Sequence, residues 1–128
     1  MESIAQTEHR DLNGAAWRYL PKLKEHFQFS ETEMRTLLGD MPRATYNKGL
    51  KTQDVRLSKD QMGRFSLLLG MQKALMILFS GNSARAYSWI DRPNQLPPFL
   101  GMTPRAYLTQ GDYQQIYETR KMLDAWRG

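Results

Sequence analysis

The hydrophobic pattern is densest between residues 57 and 79, LSKDQMGRFSLLLGMQKALMILF. Phe65, Leu67, Leu68, Leu69, Met71, Ala74, Leu75, Met76, Ile77, Leu78 and Phe79 fall on nearly every side of a helical projection. A helix that is apolar on several sides needs cover on several sides. Ser58 is placed to cap its start by accepting a backbone N–H bond, and Asp60 in the first turn suits the positive end of the helix dipole. Gly81 and Asn82 end it. A membrane span needs about 20 apolar residues. This run is shorter, and Gln72 and Lys73 interrupt it. The pattern predicts a buried central helix over 58–79, with other helices packed before and after it.

Upstream, Trp17, Leu20, Leu23 and Phe27 form a stripe at helical spacing, so 15–28 reads as the first helix, opened by Asn13 or Gly14. Pro21 predicts a kink there or a later start. Ser30 and Glu33 form a capping box, with Phe29 and Met34 as a hydrophobic staple. The helix they open ends at Gly39, and Pro42 starts another that runs to about residue 50. Two short helices joined by a tight turn at a glycine make the helix-turn-helix pattern, although a plain helical hairpin on the core would read the same way. In the DNA-binding version the second helix lies in the major groove with its N-terminal residues at base edges. Here that helix offers Arg43, Thr45, Tyr46, Asn47, Lys48 and, just past it, Lys51. Arg, Asn and Thr can read bases, and Lys suits phosphate. Residues 51–56 form a polar link into the central helix.

Downstream, Ser83 is expected to cap a short helix through Ile90 that stops at Asp91-Arg92-Pro93. Residues 94–101, NQLPPFLG, read as an extended, rigid loop whose Phe99 and Leu100 should be buried. Thr103-Pro104 is an N-cap followed by proline at the first helical position. Gly111-Asp112 opens the last helix, with Tyr113, Ile116, Tyr117, Leu123 and Trp126 on one face. No segment reads as a strand. The fold class is all-α: a helix-turn-helix bundle joined through a long central helix to a small helical domain.

Charge sharpens the first half of this picture. The 128 residues carry a formal net charge of +5. Between residues 35 and 64, seven basic side chains stand against three acidic ones, whereas the stretch before it is net acidic. Such a segment suits a polyanion. The chain has no cysteine, which excludes disulfides, thiolate zinc sites and cysteine nucleophiles and fits a cytoplasmic protein. His9 and His26 have no carboxylates at metal-ligand spacing, and there is no phosphate-cradling glycine loop or nucleophile motif. No enzyme, cofactor or metal is expected. Residues 1–12 are polar, carry Glu2, Glu8 and Asp11, and read as a flexible tail rather than a signal peptide.

The second half carries a resemblance. Ala86, Trp89-Ile90, Pro93-Asn94, Phe99-Leu100-Gly101-Met102-Thr103-Pro104, Leu108, Gly111 and Leu123 stand in the order found in the toxin-binding domain of the Xre/MbcA/ParS antitoxin family. The set covers roughly residues 79–128. Upstream, a helix-turn-helix followed by Leu57-Ser58, Asp60 and Arg64 is similar to the family's lead into its long helix. This chain has Ile90 where leucine is usual, Pro97-Pro98 in the loop, and Met62-Gly63 near a common serine-aspartate.

The resemblance implies a type II toxin–antitoxin system whose partner is a RES-domain, NAD-degrading toxin. It implies that the C-terminal domain covers the toxin while the C-terminal end blocks its active site. It further implies that the helix-turn-helix represses the shared operon and that the chain forms a homodimer. Under it, Trp89, Pro93, Asn94, Gly101, Thr103, Pro104 and Gly111 shape the toxin-binding domain, the glycines and Pro104 chiefly through structure. Trp126 is either the last piece of the core or an anchor for the toxin. The resemblance favours the anchor, with Arg127 and the Gly128 carboxylate meeting groups that otherwise hold NAD. The expected organisation is a tail over 1–12, a DNA-binding region over 13–57, the central helix over 58–79 and a toxin-binding domain over 80–128. A stand-alone helix-turn-helix regulator without a toxin is the alternative.

Overall fold

The computed structural model describes residues 3–128, apart from the side chains of residues 5–10. The central helix is present as α4, Lys59–Leu78. Its start is reciprocal: Gln61 N donates to Ser58 Oγ at 3.0 Å, and Ser58 N donates back to Gln61 Oε1 at 2.8 Å. Phe65, Leu68, Met71, Ala74 and Leu75 are buried along it. Cover comes from three directions: α1 (Ile4–Phe27), α5 (Ser83–Ser88) and, above all, α7 (Tyr113–Arg127). It is not complete, since Leu67, Leu69, Met76 and Leu78 are half-buried and Ile77 is 56% exposed.

Two glycines explain how α7 approaches α4 so closely. A Cβ on Gly63 would crowd the Tyr113 ring, and one on Gly70 would overlap the Arg120 guanidinium. Both pairs advance by seven residues, so the two helices run parallel, and small residues on one receive large ones from the other in the manner of knobs entering holes.

Helix α1 begins at Ile4 rather than near Ala15. Residues 1 and 2 lie outside the described residues, but from Ile4 the expected tail is helical backbone. The segment 4–12 contains neither proline nor glycine. Adding turns to an existing helix costs far less than nucleating one. The helix continues through Pro21, which lies on its exposed side. Asn13 is therefore no cap. It is buried, donates to the Val55 carbonyl at 2.8 Å and accepts from Leu57 N at 2.7 Å. Trp17 Nε1 reaches the same Val55 carbonyl at 2.7 Å. These side chains satisfy backbone groups of the link that would otherwise be buried unpaired.

Helices α2 (Glu31–Leu37) and α3 (Arg43–Thr52) follow. The Ser30–Glu33 capping box forms as expected. Beyond α4, Asn82 and not Ser83 caps α5, accepting from Arg85 N at 3.1 Å. A 3-10 turn, Trp89–Asp91, leads into the loop before α6 (Pro104–Leu108). That loop is folded on itself rather than extended. Asn94 N donates to the Met102 carbonyl, Gly101 N to the Asn94 carbonyl and Leu96 N to Asn94 Oδ1. Phe99 is buried edge-on between Trp89 and Tyr107, whereas Leu100 is 74% exposed with φ +50. The turn that sends Phe99 inward points its neighbour to solvent. All seven α-helices pack without any strand among the described residues. None is long and apolar enough to cross a membrane.

Candidate nucleic-acid interface

The turn between α2 and α3 passes through two left-handed residues, Gly39 (φ +83) and Asp40 (φ +57), before the buried Met41. Glycine adopts that conformation freely, and Asp is among the few other residues that tolerate it. The turn sets α3 with Tyr46 and Gly49 inward. Gly49 is the tightest point, because a Cβ there would overlap the six-membered ring of Trp17. Tyr46 packs on the same indole at a ring separation of 6.2 Å.

The outer side of α3 carries Arg43, Ala44, Asn47, Lys48, Lys51 and Thr52, all exposed. Arg43 is 73% exposed and lies 3.5 Å from Glu31 on α2. Arg43, Asn47, Lys48 and Lys51 thus share one basic, polar face, as their helical spacing requires. Thr45 stands half-buried at its edge.

Tyr46 does not belong to that face, which corrects the expectation from sequence. It is 2% exposed, and its hydroxyl has no hydrogen-bond partner among the described residues. Burial pushes the phenol above its usual value, with the nearby Glu31 carboxylate adding to the effect, so Tyr46 remains neutral. Its position one residue before Asn47 turns it about 100° round the helix, toward the core.

The basic surface continues past α3. Arg56 and Lys59 are exposed and line a groove of about 410 Å³ with Leu57, Ser58 and Met62. They belong to the basic stretch of the sequence, but the link between α3 and α4 gives no periodicity by which to place them.

In the C-terminal half, Trp89 needs the same correction: it is 5% exposed and belongs to the core. Asn94 braces the loop through its three bonds, and Thr103 caps α6 by accepting from Ala106 N at 3.1 Å. Pro93 is exposed. Trp126 (56% exposed), Arg127 and Gly128 sit in solvent at the end of α7, so Trp126 does not close the core. Leu96, also exposed on the loop, had no distinguishing pattern in the sequence. Beside α7, Tyr107 donates to Glu118 at 2.7 Å. Burial and that bond push its phenol up to about 12, while the same bond and one from Gln114 hold the Glu118 carboxyl below its usual value. Among the described residues no group of His, Asp and Glu side chains is arranged to hold a metal ion.

A short supporting helix, a left-handed turn and a second short helix with a basic outer face define a helix-turn-helix protein of the DNA-binding kind. Residues 7–70 match the antitoxin Xre-like helix-turn-helix domain. The chain is also 36% identical over 107 residues to an uncharacterized protein of Sinorhizobium fredii, y4oB, covering 84% of this chain and 80% of that one. The chain belongs to the Xre-like antitoxin helix-turn-helix family, which supports a DNA-binding antitoxin or regulator.

Proposed function

We propose that this protein is the antitoxin of a type II pair, that it neutralises a RES-domain, NAD-degrading toxin with its C-terminal half, and that it represses its own operon through α3 as a homodimer in the cytoplasm. The DNA reading is supported by the face of Arg43, Asn47, Lys48 and Lys51, with Thr45 at its edge. The toxin reading is carried by one observation: a tryptophan, 56% exposed, at the end of a helix whose aliphatic residues Ile116 and Leu123 are fully buried, making it the most exposed of the large apolar side chains on that helix, ahead of Tyr113 and Tyr117. Exposing an indole forfeits about 1.5–3 kcal/mol of burial, the scale of a large apolar side chain. Trp and Arg dominate binding hot spots, and Trp126-Arg127 presents the two together. Pro93 and Leu96 on the loop before α6 offer a second exposed surface on the same half.

Deletion of residues 125–128 tests this. The truncated chain should keep its helical content and its affinity for operator DNA, yet allow NAD to fall when the neighbouring toxin is co-expressed. Full protection by the truncated chain would show that the end is not the plug. Absence of any toxin gene beside this one would leave a stand-alone regulator.

A further inference from the structure

Helix α2 supports α3 directly, since Glu31 in its first turn lies 3.5 Å from Arg43. Both ends of α2 are held by arginines from later in the chain. At its start, Arg105 of α6 donates from Nη1 to the two carboxylate oxygens of Glu33, at 3.1 and 3.3 Å. Glu33 is also the residue that closes the capping box of α2. The same guanidinium donates to the Phe27 and Gln28 carbonyls at the end of α1 and lies 5.1 Å over the Phe29 ring. Asp91, in the 3-10 turn, anchors it at 2.6 Å from its own half of the molecule. At the other end of α2, buried Arg64 donates from Nη1 to the Leu37 carbonyl at 3.4 Å and to the Gly111 carbonyl at 2.7 Å. Gly111 packs against Thr36 so closely that a Cβ would crowd its methyl group.

We propose that Arg105 is a positioning residue for DNA reading: with Arg64 it fixes α2, and through α2 the attitude of α3, from the C-terminal half of the chain. Charged hydrogen bonds from a planar guanidinium fix direction as well as distance, and the Arg105 side chain is only 20% exposed. The inference rests on the reading of α3 as the DNA-contacting helix. A protein that docks on the C-terminal half and shifts α6 then alters operator affinity, and DNA alters that protein's affinity by the same factor.

Two variants of the full chain separate positioning from mere stability. Glu33→Gln keeps the capping box, which accepts glutamine, and removes the ion pair that crosses between halves. Asp91→Asn removes the charge that anchors Arg105 within its own half and leaves the crossing bonds in place. Backbone amide shifts are recorded without DNA, with thermal unfolding alongside. Affinity for a duplex of the chain's own upstream region is measured at several salt concentrations. We expect Glu33→Gln to move the amides of Arg43, Asn47 and Lys48 and to weaken duplex binding about fivefold, the low end of coupling between sites. Its salt dependence should be unchanged, because every cation that meets a phosphate is still in place. Asp91→Asn should lower the melting temperature while leaving the α3 amides and the duplex affinity as they were. The proposal is overturned if Glu33→Gln leaves the α3 amides in place, or if both variants weaken binding in proportion to their loss of stability. If the parent chain binds no duplex while Glu33→Gln still moves the α3 amides, the DNA reading fails and the coupling stands.

Discussion

Helix α3 and the loop before α6 hold their distinctive residues in opposite ways. On α3 the inward positions, Tyr46 and Gly49, are fixed against Trp17, and the outward ones carry the basic face. In the loop the distinctive residues turn inward: Trp89 and Phe99 stack edge-on, Asn94 braces the backbone, and Thr103 caps a helix. What the loop shows to solvent includes Pro93, Leu96, which no pattern singles out, and Leu100, which the pattern places in the core. A motif can therefore mark a surface, as on α3, or mark the frame that presents one, as in the loop. A frame can also expose residues that stand between its motif positions, as Leu96 does.

The largest test of this contrast removes it. Leu75 is fully buried on α4, which packs against helices from both halves. Leu75→Asp places a carboxylate there without a partner, costing at least several kcal/mol. Both regions should unfold in one transition, and a melt matching the parent would mean that α4 is not shared. Next in size is Gly49→Ala. Its methyl group must displace the Trp17 ring or move α3, a cost of about 1–3 kcal/mol for overpacking. Duplex affinity should fall with the melting temperature, whereas toxin binding at temperatures well below the melt should persist.

A smaller effect is expected from Arg43→Ala with Lys48→Ala. Stability should change little, within about 0.5 kcal/mol for exposed positions. The plot of log affinity against log salt should flatten by about one unit for each phosphate left without its cation. An unchanged operator affinity would make α3 a supporting helix like the loop. The smallest effect belongs to Tyr107. Its folded-state pKa is raised to about 12, so the stability it contributes is complete below about 10 and is lost as pH rises through the folded value. Tyr107→Phe should remove that part of the alkaline destabilisation between pH 10 and 12, read as melting temperature against pH.

The local signals in the chain were legible. Ser58, the Ser30–Glu33 pair and Thr103-Pro104 each act within one helical turn, and all three appear where the sequence places them. The periodic stripe of Trp17, Leu20, Leu23 and Phe27 likewise forms buried core. What could not be read has partners far along the chain. Asn13 looks like a helix opener until Val55 and Leu57 are brought to it, and Arg105 looks like an ordinary helix cation until Phe27, Glu33 and Asp91 surround it. Tyr46 and Leu100 failed for another reason. Each stands one residue from a correctly placed neighbour, and a single step along the backbone reverses or rotates the side chain.

The paired spacing of Gly63 and Gly70 with Tyr113 and Arg120 also bears on how this protein can vary. Substitution along the outer side of α7 leaves the pairing intact, so that surface is free to diverge with a changing partner. Insertion is a different matter. One residue added between Tyr113 and Arg120 rotates everything after it by about 100° and carries the guanidinium out of the slot that Gly70 provides. Between those two positions the helix can change its letters but not its length.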